Sequence, residues 1–173
     1  MGSLNNILLS MGSNLGNRYK NLQTALSELQ RFVTIKKRSR IYDTVPWGYL
    51  NQSHFLNQAI AIQTKLEPLE LLIKLKGIEK KMGRQKTFRY GPRIIDIDIL
   101  FFNELIKESP ELTIPHPVLH KRAFVLIPLV EIAPNFYHPV LKKTVRELCD
   151  SISHEGVTLY LQGKTPKNSG EKR

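Results

Sequence analysis

The run Ile94-Ile95-Asp96-Ile97-Asp98-Ile99-Leu100-Phe101-Phe102 decides the fold. It is short, rich in β-branched and aromatic residues, and alternates apolar with acidic positions, which predicts a β-strand. Asp96 and Asp98 are two apart and share one face, while Ile95, Ile97, Ile99 and Phe101 form the other, the core side. Asn103-Glu104 then turns the chain into a short partner strand at Leu105-Ile106. Upstream, Pro68 suits the first turn of a helix carrying Leu69, Leu72, Ile73 and Met82, closed by Lys80 and Lys81 where the helix dipole favours cations. Phe55 to Thr64 reads as a strand, as does the whole of Val33 to Val45. Ile7 to Met11 is the first strand. A turn at Gly12-Ser13-Asn14-Leu15-Gly16 leads from it to a helix with Leu22, Ala25, Leu26, Leu29 and Phe32 at helical spacing and Asn17 at its cap. The order β-α-β-β-α-β is a ferredoxin-like α/β plan. Helices at 123–132 and 144–153 and a strand at 157–161 extend it.

The chain has 173 residues and a net charge of +11. One domain over residues 1–162 is expected, followed by a frayed basic tail at 163–173. A single cysteine excludes an internal disulfide and a cysteine-rich zinc site. No apolar run is long enough to span a membrane, so the default is a soluble, cytoplasmic protein. The charge is not spread evenly. Between Lys74 and Arg93 eight basic residues face one acid, Glu79, a surplus of +7, and the last ten residues hold +3.

That basic stretch runs directly into the two aspartates. Side-by-side carboxylates on a largely buried strand repel, and three things could relieve them: protonation of one, pairing with Arg89 or Arg93, or divalent cations. Carboxylates at this spacing can share Mg²⁺, which takes phosphate oxygens as its other ligands, and a neighbouring cationic loop would clamp the same polyphosphate. In Gly91-Pro92-Arg93 the proline fixes the angle at which a guanidinium suited to phosphate enters the strand. No G-x-x-x-x-G-K-[ST] run is present, so this is not a P-loop, and the Gly12–Gly16 turn is read as a strand–helix connection. Elsewhere, Thr44-Val45-Pro46-Trp47-Gly48 shapes a loop, and Phe55 and Asn57 put an aromatic plane and an amide on one strand face. The pair suits a flat heterocycle with donors and acceptors on its edge; Phe55 as a core residue and Trp47 as a loop anchor are the plain alternatives. His116, Arg122 and Phe124 offer further phosphate contacts and a second aromatic plate.

Four runs together resemble the 6-hydroxymethyl-7,8-dihydropterin pyrophosphokinase family: Met11–Gly16; Tyr42–Gly48 with Phe55-Leu56-Asn57; Gly91–Leu100; and Pro115–Phe124 with Pro128–Pro134. The resemblance covers about residues 5–162. It implies a ferredoxin-like fold and diphosphate transfer from ATP to a pterin hydroxymethyl group, with AMP released, in folate biosynthesis. It further implies two Mg²⁺ ions on Asp96 and Asp98, with Arg84 and Arg93 serving the phosphates as catalytic residues. By the same match Thr44, Val45, Trp47, Phe55, Asn57 and Phe124 take the pterin. Glu79, Arg84, Tyr90, Arg93, Ile99, Thr113, His116 and Arg122 take ATP. Tyr90 stands where the family often has tryptophan, and Val45 where proline is common. A monomer acting on small molecules, with neither nucleic acid nor membrane as partner, is expected. The contrasting class is an RNA-binding module, whose R/K-G-F/Y-G-F run is missing here. The nearer rival is a kinase moving a single phosphoryl group.

Overall fold

The computed structural model describes residues 3–163; the basic run 164–173 lies outside them. The elements are β1 (Asn5–Ser13), α1 (Arg18–Leu29), β2 (Thr34–Arg38), β3 (Tyr42–Thr44), β4 (Phe55–Thr64), α2 (Pro68–Lys81), β5 (Asp96–Phe102), β6 (Lys107–Glu108) and β7 (Thr113–Ile114). A 3-10 turn at Leu119–Lys121 leads into α3 (Ala123–Ile132), α4 (Val145–Asp150) and β8 (Val157–Leu159). The main sheet has the order β5-β1-β4-β3-β8 with β2 also against β4, and every pairing is antiparallel. Counting β2 and β3 as one strand, this is the ferredoxin-like order, in which β4 is inserted between β1 and its crossover partner. No helix among the described residues is long and apolar enough to cross a membrane.

Caps explain where the helices begin. Asn17 accepts the Lys20 N–H at 2.9 Å. Pro68 opens α2, whose Glu67–Glu70 capping box satisfies two end donors. Thr144 and Glu147 do the same for α4. Leu22, Leu26 and Leu29 of α1 and Leu71, Leu75 and Ile78 of α2 cover one sheet face, packing on Leu9, Met11, Ile60 and Ile97. Leu126 and Leu129 of α3 and Leu148 of α4 cover part of the other, on Leu8, Ala59 and Phe101. The rest of that second face is left open, and the site occupies it.

Three expectations are corrected. The predicted strand at 33–45 is two strands, because Ser39–Ile41 bulges out opposite Gln58 and Ala59. Buried polar groups satisfy the bulge: Ser39 Oγ accepts the Ala59 N–H at 2.9 Å, and Gln58 Nε2 donates to the Ser39 carbonyl at 2.7 Å. The partner placed at Leu105-Ile106 begins two residues later, at Lys107, and pairs with β7 rather than with β5. Finally, the alternation along β5 does not hold to its end. The register shifts between Leu8 and Leu9, which face Phe101 and Ile99, so Leu100 is an extra residue. Phe102 therefore joins Ile95, Ile97 and Ile99 in the α1–α2 core, while Phe101 turns to the α3 side.

Candidate active site

Asp96 and Asp98 sit opposite Gly12 and Ser10 of β1, on the open sheet face. They lie where two cavities meet. The inner cavity, about 80 Å³, is lined by Ser10, Gly12, Thr44, Val45, Trp47, Phe55, Asn57 and Phe124 besides the acid pair. The outer one, about 720 Å³, is lined by Lys76, Glu79, Lys80, Arg84, Lys86, Arg89 and His116 among others. Tyr90, Arg93, Asp96, Asp98 and Arg122 border both. Six of the eight basic residues of the 74–93 stretch thus converge on one cleft. The other two are turned away: Lys74 lies over the Phe32 ring and Lys81 pairs with Glu28.

The inner cavity is a slot with a polar edge. Asn57 is buried, and its Nδ2 donates to Thr44 Oγ1 at 2.6 Å, which fixes the amide. Gly12 lies across from it; a Cβ there would sit 2.6 Å from Asn57 Oδ1. Glycine at this position is what lets the amide oxygen lie against β1. Phe124 supplies an aromatic wall. Arg122 lies over Trp47 at 4.8 Å and over Phe124 at 5.6 Å, and its buried Nε has no protein partner. Trp47 meets Tyr90 edge-on at 5.1 Å, and Tyr49 meets Phe88 at 4.9 Å, so loop 45–54 and loop 82–95 are stitched together. Asn14 is the joint beneath them. Its Oδ1 accepts the Arg93 N–H at 2.8 Å, and its Nδ2 donates to Gln52 Oε1 and the Ser53 carbonyl at 2.9 and 3.0 Å.

The acid pair is treated asymmetrically. Asp96 receives Arg84 at 2.7 Å and Arg93 at 3.0 Å. Burial pushes its carboxyl up, yet the two guanidiniums outweigh this and hold it below the usual range. Arg89, offered above as an alternative partner, instead lies over the Tyr90 ring. Asp98 has no ion pair among the described residues. Burial, then the charge of Asp96, raises its carboxyl to about 7. Glu79 is a buried organiser: it accepts from Arg84, from Lys76 at 3.0 Å and from the Ile97 N–H at 2.8 Å. That N–H points off the free side of β5, an edge strand, and the segment after β7 covers the next stretch through His116 N–H to Leu100 O at 3.0 Å. His116 is held neutral, lowered to about 4 by burial and then by Arg122.

Two residues implied by the resemblance line neither cavity. The Ile99 side chain is in the α1–α2 core, so only its backbone can reach a ligand, and Thr113, on β7, pairs with Glu108 of β6. Ser10, Gly12 and Lys76 were missed. Gly12 was read as the start of the turn after a strand ending at Met11, whereas β1 runs on to Ser13 and Gly12 lies inside it; Lys76 was marked only by lying three residues before Glu79.

No group of three or more His, Cys, Asp or Glu side chains gathers among the described residues. Two carboxylates, one of them unpaired, are a donor set that fits a hard divalent cation whose remaining ligands are phosphate oxygens.

The model for 7,8-dihydro-6-hydroxymethylpterin-pyrophosphokinase matches residues 8–134. The chain belongs to this family. The 2-amino-4-hydroxy-6-hydroxymethyldihydropteridine pyrophosphokinase from Aquifex aeolicus is 43% identical over 141 residues, covering 82% of this chain and 88% of its own. The Bacillus subtilis pyrophosphokinase is 46% identical over 132 residues, with 75% and 79% covered. Folic acid synthesis protein FOL1 of Dictyostelium discoideum is 45% identical, but this chain spans only 22% of it. In fold, the chain is similar to crystalline Plasmodium falciparum HPPK-DHPS, with TM-score 0.76 and 21% identity over 92% of this chain and 49% of that one. The family's match ends at Pro134, so α4 and β8 lie beyond it.

Loop 84–93 has few backbone hydrogen bonds of its own, chiefly Arg84 N to Glu79 O and Gly91 N to Phe88 O, both at 3.0 Å. Amides in this segment are expected to gain hydrogen-exchange protection on adding ATP with Mg²⁺, through closure over the cleft. Equal exchange with and without nucleotide would contradict that closure.

Proposed function

We propose that the chain transfers diphosphate from ATP to the hydroxymethyl group of 6-hydroxymethyl-7,8-dihydropterin and releases AMP, a step of folate biosynthesis. The observation that carries this reading is the position of Asp96 and Asp98 at the seam between an aromatic slot and a cationic cleft. Membership of the pyrophosphokinase family supports it.

In this reading Phe55 and Phe124 enclose the pterin ring, and Asn57 with the backbone around Thr44, Val45 and Trp47 reads its edge. ATP lies in the outer cleft. Arg84, Arg93, Arg122 and His116 contact its phosphates, and Tyr90 closes over it. Glu79 acts by holding Arg84. Ile99 contributes backbone groups on the free side of β5, next to Thr113. Asp96 and Asp98 would hold two Mg²⁺ ions. When bound, these neutralise the phosphates and acidify the pterin hydroxyl. With a cation on Asp96, Arg84 and Arg93, which now pair with it, would be free to turn to phosphate oxygens in the same cleft. The pterin oxygen forms its bond to the β-phosphorus as the bond to the oxygen bridging to the α-phosphorus breaks. The electron pair leaves on AMP and the hydroxyl proton goes to solvent. Positioning and charge stabilisation carry such a displacement.

The test is one incubation with ATP, Mg²⁺ and the hydroxymethyl dihydropterin. AMP formed in step with pterin consumption is expected. ADP instead of AMP would assign a single-phosphoryl kinase, and no turnover would remove the reading.

A further inference from the structure

Phe124 stands in the first turn of α3 and Glu131 in its last. Seven residues separate them, which places them on one helix face about 10 Å apart along the axis. On β3, Tyr42 and Thr44 are two apart and likewise share a face. The two elements meet at both levels. At one end Thr44 holds the Asn57 amide in the slot that Phe124 walls. At the other, the buried Tyr42 donates its hydroxyl to Glu131 Oε1. Arg40 completes this knot, giving its Nε to Oε1 and its backbone N–H to Oε2, both at 3.0 Å. Burial and then Glu131 push the Tyr42 hydroxyl up to about 12, so it remains a donor at any working pH.

Between the two levels stands Pro128, within the helix. It has no N–H to give to the Phe124 carbonyl four residues earlier. The first turn of α3 therefore lacks one of the bonds that would tie it to the rest of the helix, and it follows the helix body through the backbone and the bonds that remain.

We propose that the Tyr42–Glu131–Arg40 knot is a positioning device for the slot: it sets how far Phe124 stands from Phe55, the residue paired with Thr44 across β3 and β4, and so fixes the thickness of ring that enters. The inference rests on reading the slot as the pterin site. Tyr42 and Glu131 do not touch the ring; they act through Phe124.

Trp47, the single tryptophan of the sequence, lies against Arg122 beside Phe124 and gives an optical readout. Tyr42→Phe and Glu131→Gln would be compared with the unaltered chain for binding of 6-hydroxymethyl-7,8-dihydropterin and of a non-hydrolysable ATP analogue with Mg²⁺. Tyr42→Phe is expected to raise the pterin Kd and KM by about fivefold to twentyfold, with ATP-analogue Kd and kcat held within about twofold, and to shift Trp47 emission in the free protein. Glu131→Gln keeps an acceptor for Tyr42 and loses the charge facing Arg40; a shift of about threefold in the same direction is expected, and it carries the test if Tyr42→Phe does not fold. Ile62→Val, in the opposite core, is the comparison for a purely structural effect: a lower Tm with unchanged pterin Kd. Wild-type pterin affinity in both knot variants would overturn the inference. A native chain that takes up no pterin at all would instead bring down the functional reading.

Discussion

Asp98→Asn is expected to lower turnover by about three orders of magnitude or more while raising the thermal stability of the ligand-free protein at pH 8. The loss follows if Asp98 is a metal ligand, because an amide oxygen carries no charge to hold a divalent cation against the surrounding arginines and lysines. The gain follows from its surroundings. Burial and the neighbouring Asp96 raise the Asp98 carboxyl to about 7 in the folded chain, against an ordinary value of 3.8. The native state therefore holds more protons than the unfolded state between those limits, and stability falls as pH climbs through that window. Above pH 7 the folded protein carries the whole penalty, and Asn removes it. Recovery of roughly 1–2 kcal/mol, or about 3–6 °C in Tm, is a cautious expectation because the new amide also needs partners. The advantage should shrink as pH is lowered towards 4. His116, lowered to about 4, works the other way: the unfolded chain holds the extra proton between 4 and 6.5, so its contribution to stability grows with pH there. Comparing the variant with the parent cancels the His116 effect. Melting curves at pH 5 and pH 8, with a turnover assay, check both halves. Retained turnover would remove Asp98 from the metal site, and a lower Tm at pH 8 would remove the repulsion account.

Gly12→Ala is the second large effect, and it acts through a residue it does not replace. The added methyl would stand 2.6 Å from Asn57 Oδ1 and 3.6 Å from Phe55 Cδ1. Gly12 lies in the regular pairing of β1 with β4, opposite Asn57, so alanine suits its backbone and the contact alone is at issue. The amide cannot retreat freely, since its nitrogen is committed to Thr44 Oγ1. It must rotate and break that bond, or remain displaced into the slot. Either outcome misaligns the groups that would read the pterin edge, at a cost of about 2–3 kcal/mol, or about 30-fold to 150-fold in pterin KM. The KM for ATP, which the proposed function places on the other side of the acid pair, should change little. Steady-state kinetics with each substrate varied in turn would test this, with Asn57→Ala as the benchmark. An unaltered pterin KM would mean that Asn57 does not read the ring.

Much of this was legible in local pattern. The alternation in 94–99 placed both aspartates on one face, and Pro68 and Asn17 marked helix starts that the structure bears out. Spacing likewise paired Phe55 with Asn57, and both line the slot. What escaped depends on contacts between distant segments. The bulge at Leu100 arises from how β5 meets Leu8 and Leu9, so nothing inside 94–102 announces that Phe101 and Phe102 exchange faces. The split between β2 and β3 depends on Ser39 and Gln58 finding each other across nineteen positions. Gly12 is informative only once Asn57 is seen against it. The two arginines on Asp96 illustrate the same limit: charge density along 74–93 located the cleft, but it did not distinguish Arg84, which turns inward, from Arg89, which lies on a ring.

Glu79 has a consequence beyond the arginine it steadies. β5 is the outermost strand of the sheet, and an exposed rim of backbone donors and acceptors invites another chain to add itself there. With its carboxylate on the Ile97 N–H, Glu79 occupies a docking point of that rim, and His116 N–H on the Leu100 carbonyl closes another. The cleft can thus keep a strand edge open to small molecules without leaving it open to a neighbouring molecule. Glu79 is thus both the anchor of Arg84 and an internal cap on the edge of the sheet.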